Sequence, residues 1–176
     1  HFHHVRIIEQ CRRPFNDDDQ MNETMVRRWN ERVRPDDTVY FLGDFTMKGA
    51  DVAAKFAVRL NGKIHFVWGN HDRNAVREMG RWETSNPYLE VSINGKHITL
   101  CHYSMRVWNG SHRGSLMLYG HSHGTLPGNS QSLDVGVDAW SFAPVTLDQI
   151  LERMATLPAY HATDTTGLFT RAYEKT

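Results

Sequence analysis

Four short polar clusters are spaced along the chain, each directly after an apolar run: Gly43 and Asp44; Gly69, Asn70, His71 and Asp72; His102; and Gly120, His121, Ser122 and His123. Apolar runs that break off into a ligand-type side chain read as strands delivering side chains to one rim of a sheet. A carboxylate, an amide and several imidazoles gathered there make a mixed oxygen–nitrogen donor set. Such a set suits Mn, Fe, Zn or Ni better than Ca or Mg. Each residue also has a plainer reading. Asp44 alone reads as a loop cap, and His102 alone is a weak ligand candidate that its place after a strand promotes. His121 and His123 could belong to a structural zinc site, although such sites usually use Cys. Neither Cys11 nor Cys101 stands beside another candidate ligand. His65, His97, His112 and His161 are read as surface residues, and His3 nearly so.

The elements that must position these groups can be read from periodicity. Met21, Met25, Trp29 and Val33 fall at helical spacing over 19–33, with the run of Asp17, Asp18 and Asp19 as a cap region and Pro35 as a stop. Residues 38–42 and 64–68 are β-branched and aromatic and read as buried strands. A helix over 51–60, closed by Asn61 and Gly62, separates them. Strand–helix–strand steps imply parallel pairing, and in such sheets ligands collect beyond the carboxyl ends of the strands.

The second half differs. Residues 88–93 and 97–101 flank Asn94 and Gly95, the strongest short hairpin signal, and 115–119 and 133–137 read as further strands. Thr146 and Gln149 form a capping box that opens a helix through Met154. The expectation is an α/β protein with two mixed sheets covered by helices. One domain spans 1–157, followed by a tail of little periodicity over 158–176. Trp68, Trp82, Trp108 and Trp140 are read as packing residues rather than base-stacking platforms, and Asp134 and Asp138 either as supports of the ligand loop or as strand-end residues.

A length of 176 residues suits one domain with a sizeable core. Twenty basic and twenty acidic side chains cancel and no Lys/Arg block stands out, so the footprint of a dedicated nucleic-acid binder is absent. Two lone cysteines fit a reduced, cytoplasmic protein. No apolar run approaches the ~20 residues needed to span a bilayer.

Taken in order, these blocks resemble the calcineurin-like metallophosphoesterases, whose pattern runs Asp-x-His, Gly-Asp, Gly-Asn-His-(Asp/Glu), His, Gly-His-x-His. Here it reads His1, Gly43-Asp44, Gly69-Asn70-His71-Asp72, His102 and Gly120-His121-Ser122-His123. The resemblance covers about residues 1 to 154, with the spacing of compact bacterial or phage members that lack a cap domain. It sharpens the expected fold to a four-layer αββα sandwich with the site at the sheet edges. The family's first block has an Asp two residues ahead of its His, at the end of a core strand. The chain opens His-Phe-His-His without Met, so it is read as cut at its N-terminus, with roughly 5 to 10 further residues, a strand length, expected ahead of His1.

The resemblance implies a metal-dependent phosphoesterase acting on a small phosphate ester, mono- or diester. Two divalent ions, with Mn preferred, supply a nucleophile at neutral pH and neutralise the phosphoryl oxygens. On this reading Asp44 bridges the ions. His1 and His123 complete one ion with the upstream Asp; Asn70, His102 and His121 complete the other. His71 protonates the leaving oxygen and Asp72 orients its ring. From the residues themselves, the Asn70 amide can bond a phosphate oxygen, and either His4 or Arg73, with Arg106 as a further candidate, could contact the substrate phosphate. Two rivals remain: a non-catalytic scaffold binding a protein partner, against which the retained His71 counts, and a metal-dependent nuclease, against which the absent basic face counts.

Overall fold

A computed structural model of the chain describes residues 1–161. Helices α1 (Val5–Gln10) and α2 (Asp18–Asn30) precede strand β1 (Thr38–Phe41), helix α3 (Ala50–Ala57), strand β2 (Lys63–Val67), helix α4 (Asn74–Arg77) and strand β3 (Trp82–Asn86). Strands β4 (Tyr88–Ile93), β5 (Lys96–Cys101), β6 (Leu116–Tyr119) and β7 (Ser132–Asp134) follow, and helix α5 (Leu147–Ala155) comes last. None of the helices among the described residues is long and apolar enough to cross a membrane.

The strands form two sheets, one in the order β1-β2-β3 and one in the order β4-β5-β6-β7. The first is wholly parallel, as its strand–helix–strand steps imply, rather than mixed as expected of both sheets, because each of its strands is separated from the next by a helix. The second is mixed. Asn94 and Gly95, both at positive φ, close the antiparallel β4-β5 hairpin, and β6 and β7 add in parallel.

Alternation along the strands sorts the core. Val39, Phe41, Ile64 and Phe66 pack with Met21, Met25 and Trp29 of α2 and Ala53 and Ala57 of α3. The opposite faces, through Tyr40, Leu42 and Val67, pack against Ile98, Leu100, Leu116 and Leu118 of the second sheet, so the two sheets lie face to face. Ile150 and Met154 of α5 join that inter-sheet cluster. On β6, Met117 and Tyr119 point the other way, to Trp108, Met105 and Tyr160. Residues 158–161 of the expected tail are tied down, with Tyr160 N–H donating to Ser130 Oγ at 2.9 Å; residues 162–176 lie outside the described residues.

Three elements differ from expectation. β3 carries Glu83, Thr84, Ser85 and Asn86, a polar run with no apolar alternation to mark it. α1 and α4 are six and four residues long, too short to establish a period. The Asp17 cap, which accepts from Gln20 N–H, and the Thr146/Gln149 capping box form as their spacing requires.

Candidate metal centre

The polar clusters converge because the strands that precede them stop at one level. Asp44 sits just past β1 in a left-handed conformation (φ 59°), one residue after Gly43 (φ 86°). Gly43 packs so closely on the turn after β2 that a Cβ there would meet the Gly69 main chain and lie 2.8 Å from His102 Nδ1. A Cβ on Gly69 would collide with the main-chain nitrogen and carboxylate of Asp44. These two glycines let the ends of β1 and β2 touch, which brings Asp44 and Asn70 together. His121 (φ 63°) and His123 (φ 50°) also hold left-handed backbone, rare for side chains other than Gly and Asn and concentrated at functional sites.

The Asp44 carboxylate stands between two groups of rings. Its Oδ2 lies 2.9 Å from His1 Nε2 and 3.2 Å from His102 Nε2, while Oδ1 accepts from the His71 main-chain N–H at 2.8 Å. His102 Nε2 is also 3.1 Å from Asn70 Oδ1 and 3.2 Å from His121 Nδ1. On the other side, the His1 ring is 5.6 Å from His71, 5.4 Å from His123 and 4.9 Å from His4. The ligand atoms of His1, Asp44 and His71 lie within 4.8 Å of one another, as do those of Asp44, His102 and His121.

Two features show that a cation fits here. His102 Nδ1 is 2.7 Å from the Leu42 carbonyl, which only accepts, so Nδ1 carries the proton. In neutral His102 the Nε2 lone pair then faces two other acceptors, Asp44 Oδ2 and Asn70 Oδ1. That crowding of lone pairs is tolerable only around a positive charge. In the metal-free protein burial disfavours a charged ring, but the hydrogen bonds to Asp44 and Leu42 and the nearby carboxylates together outweigh it and raise the His102 pKa. Asp44 shifts in the matching direction. Burial opposes its ionisation, yet bonds from His102 and the His71 N–H hold its carboxyl below the usual range. The second feature is His1 Nδ1, buried without a hydrogen-bond partner, as expected of a ring whose nitrogens are offered to an ion.

His4 Nδ1 is likewise buried and unpartnered, and burial first, then neighbouring positive charge, lowers that ring to about 4. His4 is therefore neutral at physiological pH and joins the His1 side. Burial and His102 lower the His121 pKa, which also favours a neutral ring with a free lone pair. Arg73 is exposed at the N-cap of α4 and Arg106 is exposed on the segment after β5. The expected surface histidines behave as such: His65 pairs with Thr84, His97 with Ser92, and His3 with Asp18.

Asp72, expected to orient the His71 ring, is bonded to main chain. Its Oδ2 accepts from the Asp44 and Gly69 main-chain N–H groups, both at 2.7 Å, and its Oδ1 from Phe45 N–H at 2.8 Å. Asp72 is 2 % exposed, and these three bonds go to the backbone of the two strand ends. It fastens the turn that carries Asp44 to the turn that carries Asn70 and His71. His71 itself donates its main-chain N–H to Asp44 and has the His1 ring beside it.

Sequence reasoning missed Arg13. Its Nε and Nη2 donate to Asp138 Oδ1 and Oδ2, each at 2.8 Å, and Asp138 Oδ2 lies 2.7 Å from His123 Nδ1. No local signal marks Arg13, whose partner is 125 residues away. Asp134, one of the two acids noted after the last motif, accepts from Ser122 Oγ and from the Gly124 and Gly136 N–H groups, and so braces the loop holding His121 and His123. A third group close enough to hold an ion, Cys11, His123 and Asp138, has the Arg13 guanidinium bonded to its carboxylate, a positive charge that disfavours a cation there.

Residues 20–135 match the family model for the calcineurin-like phosphoesterase superfamily domain. An uncharacterized protein of Methanocaldococcus jannaschii is 31% identical over 161 residues, which cover 86% of this chain and 85% of that one. The Gene 66 protein of Mycobacterium phage L5 is 24% identical over 174 residues, 80% of this chain and 84% of that one. Among solved structures, a protein of unknown function from Aquifex aeolicus superposes with a TM-score of 0.69 at 21% identity, covering 87% of this chain and 94% of that one, a likeness of fold.

Proposed function

Since the chain belongs to the calcineurin-like phosphoesterase superfamily, whose members are metal-dependent hydrolases, we propose that it hydrolyses a small phosphate mono- or diester at a dinuclear centre bridged by Asp44, within the αββα layering of that family. The observation that carries this reading is the position of the Asp44 carboxylate, in contact with His1 on one side and His102 on the other. His1 and His123 would hold the first ion, and Asn70, His102 and His121 the second, with Mn the preferred metal. When bound, the ions supply an activated water at neutral pH and neutralise phosphoryl oxygens.

The protein's own groups do the rest. Asn70 offers a carbonyl oxygen without adding negative charge, and its amide N–H is free to hold a phosphate oxygen. His4, Arg73 and Arg106 are the candidate contacts to that phosphate. His71 donates a proton to the leaving oxygen as the ester bond breaks. Its ring is exposed next to His1, and its nitrogens also lie within ligand distance of the Asp44 group; the acid role and a ligand role give different outcomes.

General acids typically contribute ~10²–10⁴-fold, most where the leaving group is poor. His71→Ala is expected to lose alkyl phosphate esters far more than p-nitrophenyl esters while retaining the metal content of the wild type. Equal losses on both substrates together with lost metal would make His71 a ligand instead.

A further inference from the structure

We propose that Asp138, clamped by Arg13, is a positioning residue that fixes the His123 ring for the first ion and is itself withheld from metal binding. This rests on the dinuclear reading above. His123 lies on a left-handed turn, and its ring is held from the side by a carboxylate. Asp138 Oδ2 is 2.7 Å from His123 Nδ1. A carboxylate accepts, so Nδ1–H donates and Nε2 is left with its lone pair, the tautomer a metal needs.

Asp138 cannot turn away, because Arg13 grips it with two parallel bonds. Arg13 in turn is enclosed: its side chain is 1% exposed, Nη1 reaches Met21 Sδ at 3.2 Å, and its guanidinium lies 5.6 Å from the Phe142 ring centre. The clamp thus joins the segment after α1, helix α2 and the turn through Val137–Ala139 into one support beneath His123.

Arg13 also decides between two destinies for that ring. Cys11, His123 and Asp138 present ligand atoms within 4.8 Å of one another, a set that by itself could draw His123 and an ion away from Asp44. With the buried guanidinium bonded to both Asp138 oxygens, its positive charge repels a cation from that set, and His123 remains available to the His1 side.

Cobalt(II) titration of the full chain, read by absorption, tests this. Wild type is expected to take up two ions without a sulfur-to-cobalt charge-transfer band; failure to bind any ion would remove the dinuclear reading itself. Asp138→Asn keeps the shape and reverses part of the hydrogen-bonding pattern, and should weaken one of the two sites ~10–100-fold, the usual cost of losing the partner that orients a metal-bound His, with the other site unchanged. Arg13→Met should yield a sulfur charge-transfer band as the freed Asp138 joins Cys11 and His123. Wild-type affinity at both sites in Asp138→Asn overturns the positioning role even if that variant melts at a lower temperature. A folded Arg13→Met chain without the band overturns the withholding role.

Discussion

The two sides of Asp44 are built differently. On the His102 side the donors sit at strand ends and are fixed by main chain: Leu42 carbonyl holds His102, and the Asp72 carboxylate ties the β1 and β2 turns together. On the His1 side the donors are fixed by side chains: His1 packs among rings, and His123 depends on Asp138 and Arg13. A site held by backbone is set once the sheet forms. A site held by buried charges depends on residues that carry no backbone register and responds to each of them separately.

A change at the shared residue should break both sides. Asn at position 44 tolerates the left-handed backbone found there and can still accept the His71 N–H, so Asp44→Asn is expected to fold. It removes the one negative charge between the ring groups and should abolish turnover and lower metal content, measured by steady-state hydrolysis and elemental analysis. Full activity in this variant would remove the bridge.

Gly69→Ala addresses the His102 side. The added Cβ has no room against Asp44, so the β1 and β2 turns must part. Overpacking of this kind costs about 1–3 kcal/mol, and denaturant unfolding of the metal-free protein measures it. The loss should be accompanied by weaker metal binding on the His102 side, because Asn70 moves with the turn. An unchanged midpoint would mean the close approach is not what holds the turns.

The effect on the His1 side depends on pH, and its change is confined to acid. Burial opposes ionisation of Asp138, but His123 and Arg13 bring its carboxyl down to about 2, from 3.8. A depressed carboxyl stabilises the fold above the unfolded value and loses that contribution as pH falls through the folded one. The Asp138–Arg13–His123 bonds therefore contribute about 2 kcal/mol at and above pH 5, fading between about pH 4 and 2. Wild type and Asp138→Asn, compared by unfolding without metal, should converge over that interval. A constant gap would assign the effect to packing.

How much of this was legible in the sequence follows the same division. The strand-end donors were readable because strand, glycine and ligand are adjacent in the chain: Leu42, Gly43 and Asp44, or Trp68, Gly69 and Asn70. The hairpin at Asn94 and Gly95 and the two helix caps were readable for the same reason. Asp72 was assigned to the ring next to it in sequence, whereas its partners are N–H groups of Asp44 and Phe45, whose nearness exists only once β1 and β2 pair. Arg13 had no signal, since a lone arginine after a six-residue helix resembles any surface residue until Asp138 folds onto it. β3 escaped because its polar sequence lacks the alternation that marks a strand.

The central claim is that Asp44 joins two metal ions in one site, and magnetic coupling reads this most directly. Manganese(II) is added to the full chain and its electron paramagnetic resonance is followed as the metal-to-protein ratio rises. Uptake of two ions per chain is expected, with the spectrum of an exchange-coupled pair growing in as the second binds. Saturation at one ion, or two ions with the spectra of isolated manganese, would contradict it.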